Sequence, residues 1–261
     1  MRDKVCRALV AVCGLAFLLF WFFDPVFSVD ETEQRLIRSV ISHLLGSAVF
    51  VMLLLFLRYR IWHAPGLSCL VVLIPSLLVV VNNLPILSMI NGDARVERWD
   101  LMVLFILDSL LIGAFEEFAF RGTLFLVILE KHRASSKQIF MTTLISSAVF
   151  GLVHFANMLE GQGIVPTLMQ VGYSLLIGGM CAIVLLKTGN LLFSILLHAI
   201  FDFCGGLMPT IGGGTWWDTP TVVFTAVLAV AVSAWMLIVL FRIKPEETEK
   251  FYPVKERRNH K

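Results

Sequence analysis

LMVLFILDSLLIGAFEEFAFRGTLFLVIL, residues 101–129, decides what kind of protein this is. The stretch is apolar over more than the roughly 20 residues that cross a bilayer as a helix. Its middle nevertheless carries Glu116, Glu117 and Arg121, with Asp108 and Ser109 before them. A charge at bilayer depth costs at least about 2.5–3.5 kcal/mol on insertion scales, so such groups face a protein interior and often mark a functional site. Two more polar pairs stand in later apolar stretches: His154 with Asn157, and His198 with Asp202. Carboxylates, histidines and an amide gathered inside a membrane read as a reaction centre.

The rest of the 261-residue chain fits that setting. It is 58% hydrophobic with a mean hydropathy of +0.85, whereas a soluble domain is roughly 45–50% apolar. The apolar runs are continuous rather than alternating, which selects helices over a barrel. The expected fold class is all-α, a polytopic transmembrane helical bundle of about eight spans, near 8–27, 38–57, 66–82, 101–129, 139–157, 167–187, 190–206 and 221–241. The first span follows Arg2, Lys4 and Arg7 and ends in bulky residues without a cleavage site, so it reads as an uncleaved span and not a signal peptide. Alternate connections hold sixteen Lys or Arg against four in the opposite set. That bias places both termini in the cytoplasm. Gly212–Gly214 reads as an outer loop anchored by Trp216 and Trp217, and the residues from Pro245 onward as a solvated extension. Five cysteines without C-x-x-C spacing give no disulfide framework and no thiolate metal site; they read as packing residues. Three regions result: 1–100 with N-terminal spans, 101–206 with the motif-bearing catalytic core, and 207–261 with the last span and a cytoplasmic tail.

Helical spacing assigns relations within the polar groups. Glu117 and Arg121 are four apart, share a face and can pair, which lowers the cost of burying both. Glu116 sits about 100° round the helix and is left available for proton transfer. Phe150 and His154 share a face of the fifth span, with Asn157 just beyond. His198 and Asp202 repeat the four-residue spacing in the seventh, where Asp202 can fix the imidazole tautomer. Taken singly, each has a bland reading as a buried ion pair, a packed hydrogen-bonder or a self-satisfied His–Asp pair. At about 1.5 Å per residue, Glu116 and His154 lie roughly 20 Å from the cytoplasmic ends of their spans, and His198 only about 12 Å. The three meet only if the Lys187–Asn190 turn dips into the membrane.

The ordered set Glu116-Glu117…Arg121, Phe150…His154 and His198…Asp202 resembles the CPBP family, which includes type II CAAX prenyl endopeptidases and Abi-type membrane proteases. The resemblance covers roughly residues 100–206. It implies an intramembrane endopeptidase in which Glu116 and His154 activate a water and His198 stabilises the oxyanion, Arg121 keeping Glu117 in place. The third motif departs from the prenyl endopeptidase branch, which has Asn where this chain has Asp202. An ionised aspartate cannot donate to an oxyanion, so its role here is to orient His198.

No cofactor is favoured, because no H-E-x-x-H is present; the alternative is zinc held by Glu116, His154 and His198. The expected partners are a protein or peptide substrate in or at the membrane and the bilayer itself, with no nucleic acid. The competing function is a non-catalytic membrane scaffold or bacteriocin-immunity-type factor. A transporter ranks third, since paired interrupted helices in two related halves are absent. Short outer loops point to a bacterial plasma membrane, with the endoplasmic reticulum as alternative.

Overall fold

The computed structural model describes residues 26–253 except 216 and 218, together with 11, 12, 14 and 15. The first expected span therefore lies mostly outside the described residues, as do Cys6, Cys13, Trp216 and the end of the tail. Helix α1 (Glu31–Leu57) starts where the Asp30 carboxylate accepts from the Glu33 amide at 2.8 Å, satisfying a donor that the first turn leaves free. The single span expected at 66–82 is broken into α2 (Leu67–Leu70) and α3 (Leu73–Asn82), followed by α4 (Ile86–Asn91). The motif helix is continuous from Met102 to Lys131: α5 (Met102–Glu117), a π-helical stretch Phe118–Phe125, and α6 (Leu126–Lys131). Helix α7 (Ser136–Val153) is capped by Ser135 and runs into a 3-10 turn, His154–Glu160. Then come α8 (Ile164–Thr188), α9 (Leu191–Ile211) and α10 (Thr219–Arg242). Among the described residues five helices are long and apolar enough to cross a membrane: α1, α7 with its extension to Leu159, α8, α9 and α10. The chain is an integral membrane protein with a helical fold.

Three expectations need correction. The seventh span does not stop at 206. Helix α9 continues through Gly205, Gly206 and Pro209 to Ile211, because Leu207, Met208 and Ile211 pack with Leu101 and Phe105 in one buried cluster. Nor is Gly212–Gly214 a loop: it is β2, paired antiparallel with β1 (Ala94–Val96) in a two-stranded sheet. Glycine is required by the approach, since a Cβ on Gly212 would lie 2.9 Å from the Arg95 carbonyl oxygen, and Gly214 has φ +99°.

The third correction concerns the tail, which is not a solvated extension up to Tyr252. A 3-10 turn, Pro245–Phe251, lies against the ends of the helices, with Ile243, Thr248, Phe251 and Tyr252 buried. The Tyr252 hydroxyl donates to the Leu126 carbonyl at 3.0 Å, and the Arg133 guanidinium sits 4.3 Å from its ring centroid. This strap also braces the α8–α9 turn. Lys187 pairs with Glu247 at 2.7 Å, and the Asn190 amide donates to the His63 carbonyl at 2.9 Å. The turn is thus covered by residues 60–63 and 245–252 and does not face solvent alone.

Candidate active site

Close helix packing brings the motifs together. Helices α5 and α9 make the most extensive contact in the bundle, and Gly113 sits at its centre. A Cβ there would lie 2.9 Å from the backbone nitrogen of Ala199 and 3.1 Å from the Ile195 carbonyl. One turn on from Gly113 is Glu117; next to Ala199 is His198. The missing side chain is what lets them touch. Gly113→Val should therefore destabilise the protein by about 1–3 kcal/mol, as overpacked sites do. A thermal unfolding series in detergent checks this, an unchanged midpoint counting against the packing account.

Just after Glu117 the helix widens. Residues Phe118–Phe125 form a π-helical stretch, where the Thr123 hydroxyl also donates to the Phe118 carbonyl at 2.9 Å, and such turns are frequent at functional sites. The regular α geometry assumed from sequence is thus lost beyond 117, but the Glu117–Arg121 pair survives it, with Arg121 Nη1 2.8 Å from Glu117 Oε1. Both side chains are buried, at 0% and 1% exposure. The contact is ionic and not an aligned hydrogen bond; Glu117 Oε2, Arg121 Nη1 and Arg121 Nη2 have no hydrogen-bond partner. The guanidinium also lies 4.3 Å from the Phe150 ring centroid, a cation–π contact. Gly178 on α8 leaves the space it occupies, since a Cβ there would sit 2.8 Å from Arg121 Nη2.

His198 is 2% exposed and faces three carboxylates. Nδ1 lies 2.8 Å from Glu117 Oε1. Nε2 lies 3.2 Å from Glu116 Oε2 and 3.8 Å from Asp202 Oδ2. Glu117, not Asp202, is thus the residue that orients the imidazole. The four-residue spacing places Asp202 on the correct face, but one helical turn leaves it beyond hydrogen-bond reach, whereas the Gly113 contact delivers Glu117 directly.

His154 stands at the junction where α7 tightens into its 3-10 turn, and its Nδ1 bonds the Phe150 carbonyl at 2.9 Å. Its ring lies 5.1 Å, edge to face, from that of Phe150, and His198 approaches the same ring at 5.6 Å. Phe150 is therefore the hub on which Arg121, His154 and His198 converge. Asn157 is engaged elsewhere, donating to Gln170 at 2.9 Å. Gly113 and Gly178 were not singled out from sequence, although small residues inside apolar spans signal close helix approach. Cys181, read only as packing, lies beside the site.

A metal can be tested against the donors. Among the described residues, donor atoms of Glu117, Cys181 and His198 lie within 4.8 Å of one another. They fit an ion poorly. The Glu117 oxygen that would coordinate already faces both Arg121 and His198. His198 Nδ1, the nitrogen nearest that oxygen, is taken up by Glu117, and the Cys181 thiol is turned to the Ser194 carbonyl at 3.7 Å. The zinc alternative of Glu116, His154 and His198 fits better: His198 Nε2 and Glu116 Oε2 lie 3.2 Å apart, and Glu117 at Nδ1 is the kind of carboxylate that orients a metal-bound histidine.

The class is thus a membrane-embedded helical protein with a buried carboxylate–histidine centre. Residues 98–204 match the family model described as type II CAAX prenyl endopeptidase Rce1-like. The matched stretch, which is less than half of the chain, contains all three motifs and supports the resemblance to the CPBP family of membrane proteases. No curated protein and no solved structure matches the chain.

Proposed function

We propose that the protein is an intramembrane endopeptidase that hydrolyses a peptide bond of a membrane-associated protein or peptide by a metal-free mechanism. The observation that carries this reading is His198 held between the two adjacent glutamates, one at each ring nitrogen. Glu116 acts as general base: with His154 it holds a water, takes its proton as oxygen attacks the carbonyl, and returns that proton to the leaving amine. His198, fixed through Nδ1 by Glu117, presents Nε2–H to the developing oxyanion. Arg121 keeps Glu117 charged and in place, and Asp202 adds a second carboxylate at the Nε2 side. The charge distribution supports eight spans with both termini cytoplasmic. Short outer loops accord with a bacterial plasma membrane, the endoplasmic reticulum being the alternative.

Comparing membrane peptides of wild-type and Glu116→Gln cells tests the activity. The variant should accumulate an uncleaved species that the wild type removes. Identical peptide profiles would instead favour a scaffold or immunity factor of the same fold.

The mechanism has its own test. Purified enzyme should keep its activity after exhaustive dialysis against a strong chelator, and elemental analysis should find no stoichiometric zinc. Loss of cleavage on chelation, restored by added zinc, would overturn the metal-free scheme, since three such side chains and an open position suffice for catalytic zinc.

A further inference from the structure

Away from the motif site, a groove of about 560 Å³ opens between α2–α3, the end of α8 and α10. One end is polar, lined by Ser68, Lys187 and Glu247; the other is apolar, lined by Val72, Trp235 and Val239. We propose that this groove is a binding site for a membrane lipid, specifically an anionic glycerophospholipid with one acyl chain along the apolar end and its phosphate at the lysines.

Location comes first. The apolar wall is formed partly by α10, on which only Val232 and Leu240 are buried among the described residues, so the groove opens toward the hydrocarbon. Its polar end coincides with the strap, at the end of the bundle where Lys187 sits. Helix-bounded basic pockets at this level suit lipid headgroups. A volume of this size falls in the range of small-molecule sites, roughly 300–1,000 Å³.

Charge selects the occupant. Lys187 is matched by Glu247 at 2.7 Å. Lys250, which stands just behind the groove's lining residues, adds a second cation beside this end, its ammonium donating to the Lys187 carbonyl at 3.2 Å. Two ammonium groups against one carboxylate leave one positive charge. A phosphodiester with an uncharged headgroup matches that surplus. A choline headgroup brings its own cation against the lysines and does not. Lys250 is also half-buried, and desolvation pushes its ammonium down from the usual lysine range while Cys69 and Glu247 pull it up; a bound phosphate relieves that cost.

Trp235 makes the proposal measurable. Full-length protein is placed in phosphatidylcholine vesicles containing a fixed fraction of chain-brominated phosphatidylglycerol or chain-brominated phosphatidylcholine. Subtracting the signal of a Trp235→Phe variant isolates quenching of Trp235. Brominated phosphatidylglycerol should quench it with about fivefold higher apparent affinity, the preference that one lysine near a membrane surface provides. Lys250→Gln should erase the preference and Lys250→Arg should retain it. Raising ionic strength should weaken the preference in wild-type protein, a reading that needs no charge variant. Equal quenching by the two lipids, a preference that survives Lys250→Gln in folded protein, or insensitivity to salt would each overturn the assignment.

Discussion

Glu116→Gln is expected to lower peptide cleavage by about 10²-fold or more, the usual contribution of a general base, while the protein inserts and folds normally. Glutamine keeps the size and the hydrogen-bonding capacity of glutamate but cannot accept the proton. The structure makes this a clean substitution, because Glu116 is the carboxylate not bound to Arg121: its nearest charged partner is His198 Nε2 at 3.2 Å. Glu117→Gln should behave differently. It alters the Arg121 pair and the Nδ1 hydrogen bond together, so abundance and activity should fall in parallel. Single-turnover cleavage in detergent, normalised to folded protein, separates the two. If Glu116→Gln cleaves at near the wild-type rate, the base has been misassigned and Glu117 becomes the candidate.

Arg121→Ala carries the largest expected cost in stability. Removing one partner of a buried ion pair commonly costs about 3–5 kcal/mol, because the remaining charge is left uncompensated. Here that charge is Glu117, which is 0% exposed and whose second oxygen already lacks a partner. The alanine also removes the cation from the Phe150 face. Folded protein recovered from the membrane should drop sharply and its thermal midpoint should fall. Normal abundance and an unchanged midpoint would contradict the burial of this pair. A double variant, Glu117→Gln with Arg121→Ala, should recover part of the lost stability without recovering activity, since the orphaned charge is then absent.

The elements that were legible in the sequence were those whose physics is local. The pairing of Glu117 with Arg121 follows from a helical repeat, and membrane insertion follows from composition. The convergence of the three motifs was implied by a likeness to known membrane proteases. What the sequence did not disclose depends on contacts between distant segments. The orientation of His198 by Glu117 rests on the backbone approach at Gly113, which no spacing rule within one helix contains. The strap was hidden because Pro245-Glu246-Glu247-Thr248-Glu249-Lys250 is polar in composition, while its burial is achieved by Phe251 and Tyr252 and by hydrogen bonds to Arg60 and His63 backbone and ring atoms. The Gly212–Gly214 strand was missed for the opposite reason. Three glycines look like a flexible loop, but Gly212 and Gly214 lie against the backbone of Arg95 and Asp93 too closely for a Cβ.

The position of Tyr252 bears on how this protein is made. Its hydroxyl meets the carbonyl of Leu126, immediately after the π-helical stretch that follows the paired glutamates. Every motif residue has therefore been synthesised and can already be in the membrane before the last brace on their helix leaves the ribosome. A chain that terminates soon after α10 possesses all its chemistry and lacks its fastener. A reporter fused directly behind Pro253 would stand beside this brace on the motif helix, so a flexible spacer belongs between them.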